Sequence, residues 1–413
     1  MRFFIIPFII MLAVNLLIDY YIFRIIKKRF IKGKFISRLY AILSIVVTTG
    51  TIVAISMPLS DSENSTFLLI NWMLFIYLSV YIPKYIFIIF ELISRIPLLF
   101  KGYRIKWIGK ASALLSALVF ISMWWGALFN RYNISVKELT IEINGLPESF
   151  EGYRILQFSD FHLGSYGEDT EFVEEVVSCI NELKPDIILF TGDIVNRKTD
   201  ELVPFTSVLS NLMAADGVKA ILGNHDYGDY YKWNNETEKK ENMNKLYSLF
   251  KKMGWRLLLN ETDWLVRNND SIALIGVENI GDPPFPIYGS LSKAYNTLDD
   301  DKVKILLSHN PSHWTDSITN HIDKNIALTL SGHTHAMQIE VFGLSPSVFR
   351  YKTWGGKYEN TKENKTLYVN IGIGTVGLPM RLGATPELTM ITLTRKLRIN
   401  DECSPRSNNW NRE

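Results

Sequence analysis

Apolar residues are unevenly spread along this chain. Four long runs of Ile, Leu, Val, Phe and Tyr fill its first third: Phe3 to Phe23, Leu39 to Pro58, Thr66 to Phe90 and Ala111 to Phe129. Each is close to the ~20 residues a helix needs to cross ~30 Å of hydrocarbon. Buried helices of a water-soluble protein are the alternative, but four such runs in 130 residues are too long and too continuous for it. The first run also makes a poor cleaved leader: a single Arg2 precedes it, its apolar core is overlong and no small-residue cleavage site follows. The pattern predicts four transmembrane helices, the first a retained anchor.

After Asn130 the period shortens. "ELTIEINGLP" alternates as a strand does and ends in a turn. "YRILQFSDFH", "PDIILFTGD" and "GVKAILGNHD" read as short apolar strands. Between them "DTEFVEEVVSCINELK" has helical spacing with acids in its first turn, and "FTSVLSNLMAAD" also reads as helix. "WRLLLNE", "SIALIGVEN", "VKILLSHNP", "IALTLSGHTH", "TLYVNIGIG" and "LTMITL" are further strands. This alternation predicts α/β layering, with a second and more antiparallel sheet. The expected division is a membrane region over 1–130, a folded domain over 131–400 and a loose polar tail over 401–413.

Charge orients the helices. The segment Arg24 to Arg38 carries seven Lys and Arg, and Glu91 to Lys110 carries five. The opposite side has only Arg2, Arg131 and Lys137. Basic loops stay cytoplasmic, so both chain ends and the folded domain are expected outside the cytoplasm, in a multi-pass plasma or inner membrane. Lys84 is expected to snorkel, Asp19 to sit at the interface or act as a buried carboxylate, and Trp124 and Trp125 to join an interfacial belt. A net charge of +2 gives no reason to expect nucleic-acid binding. Two distant cysteines, Cys179 and Cys403, exclude a disulfide framework and a thiolate metal site.

The chemistry lies where the strands stop. Five apolar runs each end in metal-type donors: Asp160 and His162, Asp193, Asn224 with His225 and Asp226, His309, then His333 and His335. Sites in α/β sheets form at the carboxyl ends of strands, so these nine side chains are expected at one edge. Any one of these motifs alone is more often a turn than a ligand, but their shared position is not a turn pattern. His313 and His321 look incidental.

In order, "DFH", "GD", "GNHD", "SHNP" and "GHTH" resemble the signature of the calcineurin-like metallophosphoesterases. The resemblance covers about Leu139 to Leu393. It is closest to a membrane-anchored bacterial branch similar to the YkuE and YaeI phosphoesterases, on "GYRILQFSDFHLG" and "LPMRLGATPELTMITL". One departure is "IGVENIG", where many relatives carry Val-Asp-Asp; it removes no donor. The resemblance implies a two-sheet α/β/β/α sandwich behind the four-helix membrane region. It implies two divalent ions, one held by Asp160, His162, Asp193 and His335, the other by Asp193, Asn224, His309 and His333, with Asp193 bridging. Mixed imidazole and carboxylate donors suit Mn, Fe or Zn. His225 would stabilise charge or protonate the leaving oxygen, with Asp226 orienting its ring. Gly192, Gly223 and Gly332 would allow close approach or merely turn the chain, and Arg381 would contact phosphate or form a structural ion pair. In "GHTH" an extended backbone would aim both imidazoles the same way, one toward each ion, and turn Thr334 elsewhere.

The implied activity is hydrolysis of phosphoester or pyrophosphate bonds by a metal-activated water, on a phosphate ester that is lipid-linked or part of the cell envelope, among membrane lipids. One alternative is hydrolysis of UDP-2,3-diacylglucosamine in lipid A synthesis, a cytoplasm-facing reaction at odds with the charge-based orientation. Another is a non-enzymatic receptor or regulator with a relic domain, although relics lose donors and this chain retains the set.

Overall fold

The computed structural model describes residues 2–29, 32–58, 62–281, 283, 286–295, 301–318, 326–361 and 364–396. The polar tail expected over 401–413 lies outside them. Four helices, α1 (Arg2–Arg29), α2 (Gly33–Ser56), α3 (Asn64–Ile93) and α4 (Lys106–Leu128), carry the apolar runs. Each is long and apolar enough to cross a membrane. Their outward side chains, Leu17, Ile45, Leu69 and Leu118 among them, are exposed apolar groups of the kind that lipid covers.

Polar residues inside the bundle face one another. Lys84 Nζ of α3 meets Asp19 Oδ1 of α1 at 2.7 Å. The hydroxyls of Tyr40 and Tyr81 donate to the same carboxylate at 2.5 and 2.8 Å. Lys84 therefore pairs inward where snorkelling was expected, and Asp19 is its ion-pair partner inside the bundle. Water is absent from hydrocarbon, so each charge is satisfied by the other and by nearby hydroxyls. Trp124 also turns inward, its ring 5.2 Å from Phe75, while Trp125 stays exposed and lies 4.8 Å from Phe129.

Among the described residues twelve strands follow: β1 (Ser135–Ile143), β2 (Arg154–Phe158), β3 (Ile187–Phe190), β4 (Val218–Ala220), β5 (Trp255–Leu257), β6 (Glu261–Arg267), β7 (Asp270–Gly276), β8 (Lys304–Leu307), β9 (Ile326–Ser331), β10 (Gly356–Asn360), β11 (Lys365–Val369) and β12 (Glu387–Arg395). They form two six-stranded sheets, ordered β1-β12-β2-β3-β4-β5 and β10-β11-β9-β8-β7-β6. Both are mixed. The second is antiparallel only at its edges, β10 with β11 and β6 with β7, and its centre is parallel. The expected antiparallel character is thus confined to the hairpins.

Strand alternation sorts side chains into layers. Ile155, Leu189, Ile221, Ile305, Leu307, Leu328 and Leu330 meet between the sheets. Leu156, Phe158, Ile188 and Phe190 face the opposite way, against α5 (Glu171–Glu182) and α7 (Glu236–Lys252). α5 buries Phe172, Val173, Val176, Val177 and Ile180, a single helical stripe. Ala273, Ile275, Leu306 and Leu367 cover the outer face of the second sheet. The helix expected after Phe205 reaches only α6 (Thr206–Leu209), preceded by a 3-10 stretch that contains Pro204. Proline lacks the donor a regular α-helix would need there.

The two halves meet at "LPMRLG". Met380 packs with Phe75, Met123 and Ala127 of α3 and α4. Arg381 N donates to Gly126 O at 3.2 Å, and Asn130 Nδ2 to Arg381 O at 2.9 Å. At the start of α3, Asn64 Nδ2 donates to Gly164 O at 3.1 Å, and the Arg197 guanidinium lies over the Phe67 ring at 4.1 Å.

Candidate metal centre

The turns that follow β2, β3 and β9 are strained. Asp160, His162, Asp193, His333 and His335 all have positive φ, between 49° and 77°. Non-glycine residues in this region cost of order 1–3 kcal/mol each and persist where surrounding structure fixes them. Here the fixing contacts are visible. His162 N donates to Asp193 O at 3.1 Å, and His333 N donates to both Asp160 carboxylate oxygens at 3.0 and 2.9 Å. A Cβ at Gly332 would collide with the Ser159 hydroxyl and the Asp160 carboxylate, so close approach is the role of that glycine. "GHTH" is thus not extended. Two left-handed residues flank Thr334, whose hydroxyl donates to Trp354 O at 2.5 Å, and the two imidazoles diverge.

They diverge into two donor groups. Asp160, His162 and His335 place ligand atoms within 4.8 Å of one another, and so do Asp193, His309 and His333. His335 Nε2 lies 2.9 Å from His162 Nε2 and 3.3 Å from Asp160 Oδ1. Asp193 Oδ2 stands 3.2 Å from His309 Nε2 and 3.6 Å from His162 Nε2, so it faces both groups. Asn224 presents a buried Oδ1 with no hydrogen-bond partner, held in place by its Nδ2 donating to Tyr230 OH at 2.9 Å.

Burial sets the charge states. His162 is lowered to about 3 by burial and by His225, and His335 falls well below its ordinary value through burial, His162 and Arg381. Both are neutral at pH 7, the form that binds metal. Burial alone would raise Asp193, but His309, His225 and His162 outweigh it and hold the carboxyl well below its usual range. Burial likewise pulls His309 down, and Asp193 more than reverses it, to about 9. Burial lifts Asp160 to about 7.

Several features fit a metal. His309 Nδ1 donates to Thr191 O at 2.8 Å, which leaves Nε2, 3.2 Å from Asp193 Oδ2, as the nitrogen a metal would take in place of its proton. Such outer contacts orient metal-binding imidazoles. Unpartnered buried acceptors converging with carboxylates are costly unless a cation completes them. The donor set therefore suits divalent metal.

His225 and Asp226 fall apart in role. His225 N donates to Asp193 Oδ1 at 2.8 Å, its Nδ1 donates to Asn196 O at 2.7 Å, and its ring stacks on Tyr230 at 4.1 Å. Asp226 does not orient that ring. Its carboxylate accepts from the backbone N–H groups of Asp193, Ile194 and Gly223, at 2.8, 2.8 and 2.9 Å, and so clamps two loops. The carbonyl of Asn196 does the orienting instead. His225 and His333 are the half-exposed histidines of the set; the others are buried. Arg381 pairs with no acid among the described residues. It is fully buried and donates to Gly374, Ala384 and Ile371 carbonyls at 2.7, 3.0 and 3.0 Å, with Nη2 3.2 Å from His335 Nδ1. His313 is buried against Ser308 at 2.8 Å, and His321 lies outside the described residues.

Sequence reasoning passed over Tyr230, Tyr351 and Asn196. Tyr351 OH meets His333 Nε2 at 3.0 Å. None carries a motif, since their work is set by a loop fold. Because the two "GHTH" histidines serve separate groups, His333→Ala and His335→Ala should each lose one ion preferentially. Metal counting on the two purified variants, with equal loss from both groups, would refute that separation.

A two-sheet sandwich whose strand ends gather two carboxylate–imidazole groups defines a metallophosphoesterase, and the chain belongs to that family. Residues 153–337 match the calcineurin-like phosphoesterase model, and residues 1–131 match the model described as a probable calcineurin-like phosphoesterase, transmembrane domain. It is similar to the uncharacterized metallophosphoesterase YkuE of Bacillus subtilis (strain 168), 33% identical over 276 residues, which span 63% of this chain and 85% of that protein. It is 30% identical over 266 residues to a transmembrane protein with metallophosphoesterase domain from Danio rerio, covering 62% of this chain and 57% of that one. An uncharacterized metallophosphoesterase of Aquifex aeolicus (strain VF5) is 29% identical over 282 residues, covering 67% and 99%. The chain is therefore an integral membrane phosphoesterase that takes phosphate-ester substrates and divalent metal.

Proposed function

We propose a binuclear phosphohydrolase that cleaves a lipid-linked or cell-envelope phosphoester or pyrophosphate, with its catalytic face outside the cytoplasm of a bacterial plasma or inner membrane. The carrying observation is Asp193 Oδ2, which stands between His309 Nε2 and His162 Nε2 and joins the two groups. Asp160, His162, Asp193 and His335 would hold one ion, and Asp193, Asn224, His309 and His333 the other. When bound, the pair supplies Lewis acidity toward the phosphoryl oxygens and acidifies water, and Mn, Fe or Zn suits these donors. The water oxygen bonds to phosphorus as the ester P–O bond breaks, and the leaving oxygen takes a proton. His225 is the candidate donor of that proton: its Nδ1 is committed to the Asn196 carbonyl, so Nε2 is its free nitrogen. Asp226 acts through the loop it clamps.

His225→Ala should lower turnover of bis(p-nitrophenyl) phosphate by about 10²–10⁴-fold, the range for general acid–base groups, with metal content unchanged. Wild-type protein holding two Mn²⁺ ions yet turning over no phosphate ester would instead favour a receptor or regulator. The orientation rests on the twelve basic residues of segments 24–38 and 91–110, at the α1–α2 and α3–α4 ends of the bundle. A reporter fused after Trp410 should score extracytoplasmic. A cytoplasmic score would reverse the placement and revive the UDP-2,3-diacylglucosamine alternative.

A further inference from the structure

The segment after "GHTH" runs from the metal site to the surface and back. It returns at Tyr351, which touches His333. Its base is tied to the membrane helices: Ile339 pairs with Leu382 and packs into the cluster of Phe75, Met123 and Ala127. Glu340 N donates to Leu382 O at 2.8 Å.

Beyond Glu340 the chain makes a two-residue hairpin. Val341 bridges Leu344, with Phe342 and Gly343 at φ 54° and 76°. Such a turn favours Asn-Gly, and phenylalanine is unfavourable at a left-handed position. This phenylalanine is also 100% exposed; Phe349 is 93% exposed and Leu344 73%. Val341 and Val348 are exposed beside them. Single exposed apolar residues are ordinary, but a contiguous apolar patch marks a binding surface.

The neighbours of this patch identify its occupant. Its base shares a cluster with helices that cross the bilayer. The same end of α4 exposes Trp125, Leu128 and Phe129, and Gly126 there holds the Arg381 backbone. Arg350 and Lys352 follow the apolar run, where cationic side chains suit anionic headgroups.

Resting on the phosphohydrolase reading, we propose that the hairpin from Val341 to Phe349 is an interfacial wedge. It enters the leaflet where α3 begins and α4 ends, and it presents phosphate esters carried on lipids in that leaflet to the metal site. The apolar tip lowers the mouth of the site to the headgroup plane, so a lipid phosphate reaches His333 and His225 while its acyl chains stay in the bilayer.

The test uses the full chain in vesicles of phosphatidylcholine and phosphatidylglycerol. In a Cys179→Ser, Cys403→Ser background, Phe342→Cys or Phe349→Cys carries an environment-sensitive fluorophore. Emission should shift to the blue and be quenched by lipids spin-labelled near the headgroup; water-like, unquenched emission overturns the wedge. Independently, Phe342→Ser with Phe349→Ser should cut turnover of a diacylglycerol-borne p-nitrophenyl phosphodiester at least tenfold, with soluble bis(p-nitrophenyl) phosphate unchanged. Equal loss on both substrates would assign the hairpin to site folding and overturn the proposal, as would no loss on either. Wild-type protein inactive on both substrates would overturn the phosphohydrolase reading, and the fluorophore alone would then judge the wedge.

Discussion

Asp193→Asn should abolish most phosphoesterase activity and empty both halves of the centre. The carboxylate oxygen nearest His309, at 3.2 Å, is also the one nearest His162, at 3.6 Å. An amide keeps the shape but loses the negative charge that offsets two cations. It also offers one oxygen, and His225 N already donates to Asp193 Oδ1. The loss in kcat/KM should be at least ~10²-fold, the scale of removing one oriented electrostatic partner. Metal content should fall from two ions per chain to fewer than one. If the Asp193→Asn variant kept two bound ions and ordinary turnover, Asp193 would be removed from the bridge.

The second large effect lies in the bundle. Asp19→Ala strands the Lys84 ammonium beside the rings of Tyr40 and Tyr81, 4.9 and 4.4 Å away, and leaves it the Ser44 hydroxyl at 3.0 Å. Removing one partner of a sequestered ion pair costs about 3–5 kcal/mol, whereas replacing both is often neutral. The single variant should therefore unfold at markedly lower denaturant in detergent, and Asp19→Ala with Lys84→Met should recover most of the loss. If the single and double variants matched wild type, the pair would be hydrated and of no structural weight.

These two sites were unequally legible in the sequence. Asp193 announces itself because its strand, Ile187–Phe190, is wholly apolar and stops at a Gly-Asp turn. The ion pair does not: Asp19 and Lys84 lie 65 residues apart on different helices, and no local period links them. The same holds for Arg381, whose apparent phosphate chemistry gives way to three backbone carbonyls and one imidazole. Asp226 misled for another reason. A carboxylate next to a histidine in sequence suggests a pair, yet the turn directs it to the backbone N–H groups of Asp193 and Ile194. α7 passed unseen because its seventeen residues are mostly charged or polar, and it buries little beyond Leu246 and Phe250. What alternation and strand ends encode is readable; what a left-handed turn or a distant loop contributes is decided only when the chain closes.

That closure has an order. β12, the last strand among the described residues, is inserted between β1 and β2, pairing Leu139 with Ile391 on one side and Ile391 with Ile155 on the other. The first sheet cannot be completed by a growing chain, whatever has already been synthesised. Residues 387–395 must first leave the ribosome, long after the four helices have been made. Assembly of the first sheet is thereby deferred until residue 395 has been made, and a chain terminated before β12 would lack the strand that joins β1 to β2.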